Sequence, residues 1–155
     1  VGHFAVQFAS YFGAHVTATG TAAEREWLRD LGASAVVDLA TDPLPADVDV
    51  VIDLGGEEAT SGAPSVSALR RGGLFLEAPP AGRRAAVEAP AGIRTSGYEV
   101  IPDGATLATI ARLLDSGAVR VYVDRVFDLD DVANAHAALA DGEPRGTLVV
   151  RVSED

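Results

Sequence analysis

Residues 48–54, Val-Asp-Val-Val-Ile-Asp-Leu, narrow the choice of fold more than any other stretch. Four of these seven residues are β-branched, and the run stops at Gly55-Gly56, as a strand ending in a turn does. It is one of several such strands. Apolar residues at helical spacing fill the intervals between them, in stretches of roughly 10 to 15 residues. That alternation demands βαβ units and a mostly parallel sheet.

The flanking elements follow from the same signals. Residues 1–13 read as a helix with Phe4, Phe8, Tyr11 and Phe12 on one face and Gly13 at its end. His15–Thr19 reads as a strand closed by Gly20. Thr21 with Glu24 three residues later forms a capping box for a helix carrying Trp27, Leu28 and Leu31, which stops at Gly32. Ala35–Leu39 is a strand, and 41–46, with two prolines, is a loop. Residues 57–71 are expected to be mostly helix, ending at Arg70-Arg71, with Gly62 and Pro64 interrupting the first half. Gly73–Glu77 is a strand, 79–97 an irregular connection, and Tyr98–Ile101 a short strand. Asp103 caps a helix to about Ser116 with Leu107, Ile110, Leu113 and Leu114 as its stripe. Strand 121–129, a helix from Asp130 to Leu139 and strand Thr147–Val152 complete the chain. No internal repeat is evident.

Composition removes several functions. The formal charge of −11 repels nucleic acid and anionic lipid, so neither is an expected partner. No apolar run approaches the roughly 18 residues of a membrane span. The chain has no cysteine, which excludes disulfides and Cys-ligated metal sites in it. A cytoplasmic location is the expectation from these features. All twelve basic residues are arginine, and methionine is absent. A chain without methionine is expected to be a processed product or a piece of something longer. No Gly-x-Ser-x-Gly elbow and no Walker phosphate loop occurs. His3, His15 and His136 have no partners at metal-ligand spacing, so no metal ligand is assigned.

The element order is that of an α/β fold: a Rossmann-type doubly wound, mostly parallel sheet lacking its first strand. In dinucleotide-binding sheets a glycine-rich turn follows that strand, and the next helix points its N-terminus at the pyrophosphate. Val1 and Gly2 stand where such a turn would finish.

Longer segments carry a more specific likeness. Val1–Ala9 resembles the start of the cofactor helix of medium-chain dehydrogenase/reductases, and Gly13–Thr19 resembles that family's second strand. Leu31–Asp38, Asp49–Gly56 and Leu69–Gly73 are similar to its next segments. Asp124–Leu129, Ala135–Leu139 and Arg145–Val150 resemble its C-terminal signature. The resemblance covers essentially the whole chain and is nearest to the zinc-independent, quinone-oxidoreductase-like branch.

The resemblance implies hydride transfer from a nicotinamide cofactor to a quinone, enone or related conjugated carbonyl. It implies residues 1–117 as a truncated dinucleotide-binding domain. Residues 118–155 would pack back on a substrate domain that precedes these residues in the family. No catalytic residue is assigned within the chain. NAD selectivity ordinarily uses an acid at the end of the second strand. Thr19, Gly20 and Thr21 stand there instead, with Arg25 one turn on, so NADP is expected in preference to NAD. Thr21 acting only as a cap and Arg25 as a solvated charge is the plainer alternative. Leu54, Gly55, Ala78 and Pro79, at the ends of two strands, would line the ribose and nicotinamide; Gly55 is equally explained by a strand-ending turn. Arg145 is a further candidate phosphate ligand, although Thr147 stands where the family often has Lys.

The alternatives are a catalytically inactive truncated product or interaction module, and an enoyl-reductase module of a larger synthase. The resemblance also implies a homodimer joined through an edge strand, with Tyr98–Ile101 as that edge. The missing central strand predicts that these residues alone are poorly stable, paired with a second chain, or rearranged, with Thr147–Val152 as one candidate filler.

Overall fold

The computed structural model describes residues 1–54, 63–77, 90–97, 101–142 and 144–153. Every strand pair among them is parallel. Helix α1 (Gly2–Tyr11) leads into β1 (Thr17–Thr19). A 3-10 turn and α2 (Arg25–Asp30) then cross to β2 (Ala35–Val37), with Thr17 opposite Ala35 and Thr19 opposite Val37. This βαβ unit has its own core of Ala18, Leu28, Ala33 and Val36, against which Val6, Trp27 and Leu31 pack. Both α1 and α2 therefore contribute a face to it. Burying a leucine such as Leu28 stabilises by roughly 1.5–3 kcal/mol relative to leaving it in water.

The second sheet has the order β3 (Val48–Asp53), β4 (Leu69–Glu77), β5 (Arg94–Gly97). Its core is Val66, Leu69 and Phe75, with Val51 and Ile93 packed beside them. Phe75 is only 1% exposed. Here the structure corrects the sequence reading twice. Only α3 (Ala63–Val66) is helical in the described part of 57–71, and Arg70-Arg71 lie in β4 rather than at a helix end. Leu69 pairs with Val48 and Leu74 with Val50, so 70–73 bulge out of the ladder. Gly72, at φ 81°, takes the left-handed backbone this bulge needs. Likewise Arg94–Gly97 forms a strand within the stretch expected to be irregular, because Leu74–Glu77 offers it an open parallel edge. Of the expected strand Tyr98–Ile101, residues 98–100 lie outside the described residues, and Ile101 is in no strand.

Helix α4 (Gly104–Asp115) starts at Asp103, whose carboxylate accepts the N–H groups of Ala105 at 3.0 Å and Thr106 at 3.2 Å. Those bonds and the Thr106 hydroxyl, which contributes most, hold the Asp103 carboxyl below the usual carboxylate range. The chain ends in a third unit. Strand β6 (Val123–Asp128), helix α5 (Val132–Ala140) and β7 (Thr147–Arg151) form a two-stranded parallel sheet. The expectation that Thr147–Val152 would fill the central gap is thus corrected: β7 pairs with β6, which its apolar run Leu148–Val150 matches in register.

Among the described residues β1 pairs only with β2, and β3 pairs with β4 alone. On β3, Val50 and Ile52 remain 46% and 47% exposed, unusual for a β-branched strand of this kind. No helix among the described residues is long and apolar enough to cross a membrane.

Candidate functional site

Parallel sheets bind ligands beyond the carboxyl ends of their strands, and the sequence-named residues that are described gather there in two places. The first is the start of α1. Val1 is exposed, and its carbonyl accepts the N–H groups of both Phe4 and Ala5 at 3.1 Å. The N–H groups of Gly2 and His3, ahead of them, have no intrahelical acceptor. A Cβ at Gly2 would meet Leu54 Cδ1 at 3.3 Å, so the start of α1 sits against the end of β3. Next to it His3 is buried and its Nε2 has no partner. Burial, and then the positive chain terminus, push the imidazole below its usual pKa.

The second place is the turn from β1 to α2. Thr19 is exposed at the strand end, and the Gly20 N–H donates to Val37 O at 3.0 Å, tying the ends of β1 and β2 together. A Cβ on Gly20 would lie 2.5 Å from Leu28 Cδ1, so any larger residue here would have to displace the Leu28 side chain. Thr21 donates its N–H at 2.9 Å and its hydroxyl at 2.7 Å to Glu24 Oε2. That is the capping motif read from sequence. Arg25 Nη2 donates to Asp42 Oδ2 at 3.3 Å, and the Asp38 N–H donates to the same oxygen at 3.0 Å. The Asp38 N–H is the main reason the Asp42 carboxyl stays below its usual range; partial removal from water opposes it and Arg25 adds to it. Of the residues expected to meet a phosphate here, Thr21 and Arg25 therefore already face a carboxylate.

Arg145 lies elsewhere. It lines a cleft of about 460 Å³ between α2 and residues 120–122, with Trp27, Glu26, Asp30, Arg120 and Tyr122. The Trp27 and Tyr122 rings meet edge to face at 5.4 Å, and Trp27 Nε1 is buried without a partner. Neither the Arg120 nor the Arg145 guanidinium has a hydrogen bond or ion pair among the described residues; Arg120 is held through its backbone. The sequence reading did not single out Arg120 or Asp42. Each reaches the site through a loop, and no local pattern marks it. Gly55, Ala78 and Pro79 lie outside the described residues.

Residues 31–150 match the zinc-binding dehydrogenase family. The chain belongs to that family. It is 30% identical to zebrafish (Danio rerio) mitochondrial NAD(P)H oxidoreductase RTN4IP1, over 100% of this chain and 47% of that protein. It is 28% identical to the chloroplast envelope quinone oxidoreductase homolog of Arabidopsis thaliana, over 97% of the chain and 49% of that protein. Among solved structures, the quinone oxidoreductase from Coxiella burnetii superposes with a TM-score of 0.83 at 25% identity, covering 99% of this chain and 50% of the other. A cobalt- and zinc-bound alcohol dehydrogenase from Pyrobaculum aerophilum gives 0.79 at 29% identity, over 98% of this chain and 47% of the other. The chain thus spans about half the length of the relatives it matches.

The family's name implies zinc, and the residues here do not fit it. The chain has no cysteine, and no group of three or more His, Asp or Glu among the described residues could hold a metal ion. A nicotinamide cofactor fits better. Free N–H groups at the start of α1 suit a pyrophosphate. Next to them the buried His3 Nε2 has no partner, and the turn from β1 to α2 carries the hydroxyls of Thr19 and Thr21.

Proposed function

We propose that this chain is the cofactor-binding portion of an NADP-dependent oxidoreductase that passes hydride to a quinone, enone or related conjugated carbonyl. The start of α1, seated against Leu54 at the end of β3 with the Gly2 and His3 N–H groups outside the helix's own bonding, carries the reading. Bound NADPH would supply the hydride. The chain's own residues hold and orient it: the N–H groups of Gly2 and His3 take the pyrophosphate. Thr19, Thr21 and Arg25 surround the adenosine ribose at the end of β1, where no acid stands on the strand itself. Gly55, Ala78 and Pro79 would line the nicotinamide, and Arg145 offers a second cation on the other flank of α2. The conjugated-carbonyl substrate is supported by the names of two relatives, the Arabidopsis homolog and the Coxiella enzyme. The exposed apolar residues Val121, Val126, Leu129 and Val132 support 118–155 as the segment that meets a substrate-binding part.

Titrating the chain with NADPH and NADH while following Trp27 fluorescence tests the reading. Trp27 is the only tryptophan and lines the cleft beside α2. Saturable quenching by NADPH is the expected result. No response to either cofactor would favour an inactive interaction module instead.

A further inference from the structure

The strength of the cofactor preference, which rests on the NADP reading above, turns on a residue outside the sequence-named set. Arg25 is the cation nearest the end of β1 in sequence, and a guanidinium has five N–H donors. The Asp42 contact uses one, at 3.3 Å, with both side chains more than a third exposed. It is a loose hold on Arg25 and orients it weakly. Asp42 is held more firmly. Its Oδ2 accepts the Asp38 N–H at 3.0 Å, and Asp38 directly follows β2, whose last carbonyl accepts the Gly20 N–H. The carboxylate is thus fixed on the rim formed by the two strand ends.

A ribose 2′-phosphate carries about two negative charges at neutral pH. Arriving at Arg25, it meets a cation whose charge Asp42 partly cancels, and it stands near that carboxylate itself. A ribose 2′-hydroxyl carries no charge and loses nothing. Repulsion of a dianion outweighs the orientation that one long, exposed hydrogen bond provides. We propose that Asp42 is a specificity-determining residue: it weakens the NADP preference that Arg25 creates and keeps the site open to both NADPH and NADH.

The test is the ratio of NADPH to NADH affinity in the parent chain and in Asp42→Asn. Asparagine keeps an oxygen for the Asp38 N–H and removes the charge. The ratio is expected to rise by about 1.5-fold to fivefold, the range for partly exposed charges. The gain should shrink as ionic strength goes from about 0.05 to 0.5 M, because salt screens it. A merely structural residue would change both affinities together and without salt dependence. Asp42→Ser is the second variant, smaller and equally neutral, and should shift the ratio the same way. An unchanged or lowered ratio in both variants, with both cofactors bound by the parent chain, overturns the role of Asp42 alone. Failure of the parent chain to bind either cofactor overturns the cofactor reading, and the Asp42 inference with it.

Discussion

Gln7 and Arg120, 113 residues apart, are joined by two hydrogen bonds: the Arg120 N–H donates to Gln7 Oε1 at 2.8 Å, and Gln7 Nε2 donates to Arg120 O at 3.0 Å. The same Nε2 also donates to His3 O at 2.9 Å. The amide of a residue only 7% exposed is therefore fully engaged, and it pairs with the backbone of Arg120 much as a neighbouring strand would. Val119, 1% exposed, is buried beside it. The pair carries residues 119–122 against α1, which brings Tyr122 onto Trp27 and forms one wall of the cleft.

Replacing Gln7 by leucine keeps most of the volume and removes both bonds. The Arg120 N–H and carbonyl then lose their protein partner in a partly buried place. A loss of about 1–3 kcal/mol in unfolding free energy is expected, by urea denaturation. The Arg120 amide should exchange its hydrogen faster, and Trp27 emission should shift as Tyr122 moves. Unchanged stability in Gln7→Leu would mean that water replaces both bonds at no cost.

His3 gives the chain a pH dependence with a definite sign. Its folded pKa lies below the ordinary value of 6.5, through burial first and the positive terminus second. The unfolded chain therefore binds this proton more readily than the folded one. The stability that neutral His3 permits is fully present above about pH 6.5 and is lost as pH falls towards the lowered folded value. Urea midpoints should drop between about pH 7.5 and 5.5, and His3→Leu should flatten that stretch of the profile. A parent curve parallel to the His3→Leu curve would remove His3 as the cause.

How far the sequence carried this picture depends on the range of the interactions involved. The helix starts at Thr21 and Asp103 were legible because a side chain two or three residues from its target makes each cap. The strands at Val48–Asp53 and Thr147–Arg151 were legible from β-branched and apolar runs. Arg70-Arg71 misled because two basic residues after an apolar stretch look like a helix end. They lie instead in the bulge between Leu69 and Leu74, which pair with Val48 and Val50 some twenty residues away. Arg25 was named as a candidate, but its partner Asp42 lies 17 residues on in a proline-containing loop. Arg120 reaches the cleft only because Gln7 holds its backbone. Such long-range partners leave no periodic trace.

The two open edges lead to the last prediction. In a parallel sheet, successive N–H groups along a strand point alternately to its two neighbours. β1 has a described neighbour only in β2, and β3 has one only in β4. Half the amides of Val48–Asp53 should therefore resist hydrogen exchange through β4, while the alternate half face the open side and exchange quickly. The same alternation is expected, more weakly, across the three residues of β1. Unpaired backbone groups that are shut off from water would cost on the order of 1–3 kcal/mol each. The exposure of Val50 and Ile52 shows that water reaches this strand in the isolated chain. Residue-resolved exchange on a monomeric sample checks this directly. Protection of every amide from Val48 to Asp53 would mean that another segment lies along the β3 edge, and the open-edged arrangement would have to be abandoned.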